Sequence, residues 1–158
     1  MIHEPGAYLL VVELGHSLPL DGTALAPAVL PPGCYAYCGS AYGPGGLGAR
    51  IGRHLRRGKA LWWHIDRLTE AGRILCVGWR PRGRECALVT GLCGLPSVTV
   101  PVAGFGSSDC RRCAAHLLLM PSGFDARALA GALGLTMVGI GRGAVRRRFA
   151  DGGNQLGR

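Results

Sequence analysis

Residues 6–14 read Gly-Ala-Tyr-Leu-Leu-Val-Val-Glu-Leu, a run rich in Leu, Val and Tyr with one charge. Such a run suits a buried strand and is far too short to span a bilayer. A second strand follows at residues 33–40, Gly-Cys-Tyr-Ala-Tyr-Cys-Gly-Ser. Its alternation sets Tyr35 and Tyr37 on one face and Cys34, Ala36 and Cys38 on the other. An antiparallel pairing of the two is the natural expectation. The connection between them, residues 16–32, holds four Pro and an Asp21-Gly22 turn signal, with room for a short strand.

Beyond the glycine loop at residues 43–46, a helix is expected over 47–57, with Leu47, Ile51 and Leu55 as its apolar stripe. Arg50, Arg53, His54 and Arg57 form a neighbouring stripe, with Arg50 and His54 nearest the apolar border. A second helix is expected over 61–71, turning Leu61, Ile65 and Leu68 inward. A strand follows over 73–79 and a helix over 83–92. Residues 95–101 are irregular or extended, and 104–109 are a turn-rich loop. A strand over 114–120, a short Ala-rich helix over 125–133 and a weak strand over 135–140 complete the pattern. From Gly141 the chain becomes a basic tail with Arg142, Arg146, Arg147, Arg148 and Arg158.

The chain has 158 residues, 48% of them hydrophobic, which supports one ordinary core. The net charge of +9 attracts polyanions, nucleic acid first and an anionic membrane surface second. Seven cysteines, with no basic-then-apolar leader at the start, fit a cytoplasmic protein with reduced thiols. A Lys-Ser/Thr phosphate loop and a Gly-x-Ser-x-Gly elbow are both absent from the sequence.

Four groups of residues could carry chemistry. Glu85 falls with Leu88, Val89 and Leu92 at helical spacing, on the inward face near a helix start. A carboxylate there is costly unless it is salt-bridged, favoured by the helix N-terminus, or metal-bound. Tyr8, Tyr35 and Tyr37 are either ordinary sheet packing or a phenol cluster able to relay a proton. Arg50, Arg53, His54, Arg56, Arg57 and Lys59 have no acid among them from Leu47 to Leu61. They form either a solvated face or a phosphate-binding one. Cys110-x-x-Cys113-x-x-His116 offers three ligands of a zinc site, with His64 or Cys86 as the fourth, or else a reduced thiol pair. Its setting does not suit a redox motif. Trp62 and Trp63 are either base-stacking groups or core and rim.

Taken in order, Gly6-Ala7-Tyr8, Tyr37-Cys38-Gly39, Arg50 with His54 one turn later, and Glu85 resemble the GIY-YIG nuclease superfamily. The branch it is most similar to is catalogued as domain of unknown function 123. That branch's features are Tyr35 through Ala41, Arg50 through Leu55, Trp63-His64-Ile65-Asp66, Glu85-Cys86, and Gly104 through Cys110 with His116-Leu117 after it. No piece is specific alone; the five in order are. The resemblance runs from Gly6 to about Met120.

This resemblance implies an α+β fold, an α/β sandwich with a small central antiparallel sheet of three or more strands flanked by helices. It implies a catalytic domain over residues 1–121, followed by an extension over 122–158 with the short helix and basic tail. The implied activity is metal-dependent phosphodiester hydrolysis in DNA processing or repair, with nucleic acid, DNA before RNA, as partner. The alternative on the same fold is a nucleic-acid-binding module without hydrolysis. Tyr37 matches the general base that activates water, and Tyr8 the tyrosine that supports it. Arg50 matches the arginine on the scissile phosphate, and His54 sits where relatives place a Tyr or His. Glu85 matches the single carboxylate that anchors Mg²⁺ or Mn²⁺. His64 and Asp66 belong to the branch's own motif, and Arg53, Arg56, Arg57 and Lys59 are the implied nucleic-acid contacts. The sequence departs from the pattern at Ala7 and Cys38, which are packing positions, and in the long connection between the first two motifs. It departs again at Ser40, where excision-repair relatives carry a Lys; Arg53 or His64 are the candidates to replace that cation.

Overall fold

A computed structural model describes residues 2–141. The basic tail, with its arginines from Arg142 onward, lies outside the described residues. The elements run β1 (Gly6–Leu14), β2 (Leu18–Pro19), β3 (Val29–Leu30), β4 (Gly33–Ser40), α1 (Gly46–Leu55), α2 (His64–Ala71), β5 (Arg73–Pro81), α3 (Glu85–Cys93), β6 (Leu117–Met120), α4 (Ala126–Leu133) and β7 (Thr136–Gly139). The fold is a mixed α+β sandwich. Five strands form one sheet in the order β6-β4-β1-β5-β7, every neighbouring pair antiparallel. The two-residue strands β2 and β3 pair inside the proline-rich connection.

The apolar run of β1 now has its explanation. It is the middle strand, and both of its faces are covered. Tyr8, Leu10, Val12 and Leu14 face a core shared with Leu47 and Ile51 of α1 and Ile65 and Leu68 of α2. Ala7, Leu9 and Val11 face a second core shared with Leu88, Val89 and Leu92 of α3 and Leu129 and Leu133 of α4. A strand buried on both sides cannot alternate with polar residues, because no face is left for water. The alternation of β4 sends Tyr35 and Tyr37 to the first core and Ala36 and Cys38 to the second, as its sequence predicts. Helix α4 and strand β7, from the segment set apart in the sequence as an extension, pack on this same sheet.

One expectation is corrected. Helix α2 begins at His64, three residues later than its periodicity suggests, and Leu61 is 48% exposed and not inward. The reason is Asp66, whose Oδ2 accepts the Trp62 and Trp63 N–H groups at 3.0 and 2.9 Å. Residues 61–63 are therefore held as the cap of the helix and not as its first turn. All seven cysteines are unpaired thiols. Among the described residues, no helix is long and apolar enough to cross a membrane.

Candidate functional site

One cleft of about 1080 Å³ gathers residues from both helical layers. Tyr8 and Tyr37 reach it from the sheet, Arg50 from α1, and Glu85 and Cys86 from the first turn of α3. Trp62, Trp63 and His64 line it from the start of α2, and Gly106, residues 108–112 and His116 from the loop before β6. Ser40 is on its wall.

The tyrosines are not independent packing residues. The Tyr8 hydroxyl is 2.7 Å from Nε2 of His54, and both side chains are buried. Tyr37 leans on both, with ring centroids 6.4 Å from Tyr8 and 6.2 Å from His54. Burial holds His54 near a pKa of about 3 against the pull of Asp66, so the imidazole is neutral. Burial likewise raises the Tyr37 phenol well above 10, with Cys38, Asp66 and Glu85 adding to the rise and Arg50 opposing it. Two glycines make room for this cluster. A Cβ on Gly39 would lie 2.2 Å from the Tyr8 ring. Gly106 has φ +69°, and a Cβ there would lie 2.8 Å from the Tyr37 ring. Tyr35, the third phenol of the sequence pattern, is turned away and donates to the Pro31 carbonyl.

Arg50 and Glu85 differ from the committed charges of the neighbouring basic run: among the described residues neither side chain has a hydrogen bond or ion pair, and the same holds for Arg84, Asp109, Arg111 and Arg112 of the cleft. The Arg50 guanidinium sits 4.7 Å from the centre of the Trp63 ring, which holds its position without occupying its N–H donors. The salt bridge that would have explained Glu85 is not present among the described residues. The carboxylate is half-buried and faces the cleft.

Helix α1 stops at Leu55, two residues short of the expected end, so Arg56, Arg57 and Lys59 lie beyond it, and most of this basic run is committed elsewhere. Arg53 makes a two-pronged pair with Asp66, at 2.5 Å to Oδ1 and 2.9 Å to Oδ2, and stacks on the Trp62 and Trp63 rings. Asp66 is fully buried; burial alone would raise its carboxyl, but Arg53 and the two tryptophan N–H groups hold it low. Arg57 donates to the carbonyls of Thr69, Glu70 and Gly72 at the end of α2. Lys59 pairs with Glu70 at 2.8 Å. The Arg56 side chain is exposed and has no partner among the described residues, although its carbonyl accepts from Lys59. The missing acids of this helix are thus supplied by its neighbour. Arg53, tied to Asp66, is not a free replacement for the cation absent at Ser40. His64 is also committed: its Nδ1 accepts from the Gly106 N–H at 3.3 Å, and its ring packs on Phe105. Trp62 and Trp63 are both rim residues, 74% and 37% exposed, and neither belongs to the core.

On the wall of the cleft, Cys86, Cys110 and His116 converge with Cys113, their ligand atoms all within 4.8 Å of one another. The backbone N–H groups of Arg112 and Cys113 both donate to the Cys110 sulfur at 3.4 Å. Those two donors, with His116, lower the Cys110 thiol to about 6, whereas burial and the neighbouring sulfurs push Cys113 up to about 12. The structure therefore selects Cys86, and not His64, as the fourth member of this group.

Three cleft residues escaped the sequence reading: Arg84, Arg111 and Arg112. They sit in loops, where periodicity says nothing. The available signal was their position, one before Glu85 and two between the cysteines.

Residues 7–133 match the model of a family described as Domain of unknown function DUF123. No curated protein and no solved structure matches the chain. The matched stretch contains every residue of the cleft and runs from the start of the central strand to the end of α4, and the chain belongs to the DUF123 family.

Proposed function

We propose that this chain is a GIY-YIG-type nuclease, a divalent-metal-dependent enzyme that hydrolyses nucleic-acid phosphodiester bonds in DNA processing or repair. Its cofactor is Mg²⁺ or Mn²⁺, its substrate DNA before RNA, and its compartment the cytoplasm. The observation that carries this reading is the convergence of Arg50 and Glu85, both without a side-chain partner among the described residues, on one cleft beside two buried phenols. Charged groups that converge on a concave site with their donors and acceptors free are what a binding or active site offers a ligand.

Glu85 fits a magnesium ion. Mg²⁺ is commonly held by one or two carboxylates and completed by substrate phosphates and water, and nothing among the described residues competes for this carboxylate. Bound there, the ion would neutralise Glu85 and the charge that develops on the phosphate oxygens. Arg50 would fork onto a nonbridging oxygen, its donors unoccupied and its plane fixed by Trp63. Tyr37 would take the proton of the attacking water. Its phenol is held protonated by burial and by the Glu85 charge, so its competence as a base depends on cations at the cleft. Neutral His54 holds the Tyr8 hydroxyl and so fixes the phenol that packs against Tyr37. Trp62 offers an exposed ring face at the rim on which a base can stack.

The test is cleavage of labelled DNA and RNA substrates with and without Mg²⁺ or Mn²⁺. Wild type should cut only with added metal. Tyr37→Phe, Arg50→Ala and Glu85→Gln should each lose about 10²-fold or more in rate, with binding retained by Tyr37→Phe. Salt-sensitive binding with no cutting on any substrate would instead identify a binding module without hydrolysis.

A further inference from the structure

The Cys86, Cys110, Cys113 and His116 cluster is not used by the proposed hydrolysis, and it stands on its own geometry. Its members come from two separate parts of the chain. Cys86 is on the first turn of α3, and the other three are in the loop that leads into β6. Four soft ligands within 4.8 Å of one another match a tetrahedron, whose edges are about 3.8 Å when the bonds to sulfur are about 2.3 Å. The Cys86 and Cys110 sulfurs are 3.6 Å apart, the edge length of such a site and too long for a disulfide.

Two independent details point to a ligand. His116 is 94% buried by its 6% exposure, and its Nε2 has no hydrogen-bond partner among the described residues. A buried polar atom without a partner is costly, and a bound ion is one of the few things that removes the cost. The second detail is the loop itself. The N–H groups of Arg112 and Cys113 fold back onto the Cys110 sulfur at 3.4 Å, which fixes that sulfur toward the other three members of the group.

We propose that these four residues bind one structural Zn²⁺ ion, with Cys86, Cys110 and Cys113 as thiolates and His116 as a neutral imidazole. Binding releases the three thiol protons to solvent. The ion and three thiolates carry a net single negative charge, which Arg84, Arg111 and Arg112 offset from the same cleft. With four protein ligands the coordination shell is closed, so the ion does not take a water for catalysis. Its work is to pin the start of α3, and with it Glu85, to the loop that touches Tyr37 through Gly106.

Metal analysis of the full chain, purified without chelator, tests this directly and needs no activity. One zinc per chain is expected. X-ray absorption should show three sulfurs at about 2.3 Å and one nitrogen at about 2.0–2.1 Å. Cobalt exchanged into the site should give sulfur-to-metal charge transfer and tetrahedral d–d bands. Cys86→Ser, Cys110→Ser and Cys113→Ser should each lose those bands, while Cys93→Ser, an exposed thiol outside the cluster, keeps them. Substoichiometric zinc in wild type after zinc is supplied, or a shell with fewer than three sulfurs, would overturn the assignment. So would an unchanged cobalt spectrum in Cys86→Ser. The wild-type measurements decide the matter even if a cysteine variant fails to fold. Zinc content and nuclease activity are read separately, so failure of one leaves the other standing.

Discussion

His54 is a buried neutral histidine whose protonation the fold opposes. Its pKa is about 3 in the folded chain against 6.5 for a free side chain, because burial disfavours the charged ring. Between those values the unfolded chain binds a proton that the folded chain does not, so stability falls as pH drops from 6.5 toward 3. The slope is about 1.4 kcal/mol per pH unit at most. His54→Gln should flatten it, as read from urea midpoints measured between pH 7 and pH 4. Asp66 adds acid sensitivity at lower pH, since its depressed carboxyl stabilises the fold until it is protonated. Arg50 and Arg53 lie one turn apart but have different work. Asp66→Ala, which strands the Arg53 guanidinium, should cost about 3–5 kcal/mol in equilibrium unfolding. Arg50→Ala, which loses only its contact with the Trp63 ring, should cost less than about 1 kcal/mol while removing cleavage.

Helix α4, set apart in the sequence reading as an extension, is part of the core and of the family match. Its Leu133 is buried against the second core, and the close approach is possible because Gly91 of α3 has no side chain; a Cβ there would lie 2.4 Å from Leu133. Asp125 caps the helix by accepting the Arg127 and Ala128 N–H groups, and Gly134 ends it in the left-handed region. Leu133→Ala should destabilise the chain by about 2–5 kcal/mol. A single cooperative thermal transition at lower temperature is the expected readout. An appendage that did not share the core would leave the transition unmoved.

Over the whole molecule, the excess of positive charge is arranged differently from what its sequence clustering suggests. Arg53, Arg57 and Lys59 are spent on α2, whereas Arg50, Arg84, Arg111 and Arg112 line the cleft. Among the described residues, the unpaired cations that line the cleft are therefore where the polyanionic substrate of the proposed function would be drawn. In binding measured against salt, Arg111→Ala should lower the slope of log K on log salt by about 1, as expected when one phosphate contact is lost. Arg57→Ala should leave that slope alone and lower stability instead.

Period and residue type alone were enough for the first buried strand, the antiparallel partner with its two-faced alternation, the α1 apolar stripe and the short Ala-rich helix. These depend on contacts each residue makes with its own element, and a period of two or of 3.6 is visible in any linear string. The start of α2 was not legible, because the Asp66 side chain takes backbone donors that periodicity counts as helical. Nor was the compensation of the basic helix, whose acids lie across a turn on another helix. For the cleft, Tyr8, Tyr37, Arg50, His54 and Glu85 could be picked out in the string by resemblance. That Arg50 and Glu85 stand unpaired, that His54 binds Tyr8, and that Cys86 closes a group with Cys110, Cys113 and His116 was decided by tertiary packing. Those facts depend on distances between residues far apart in sequence, and no local pattern encodes which of several charged or sulfur-bearing side chains will meet.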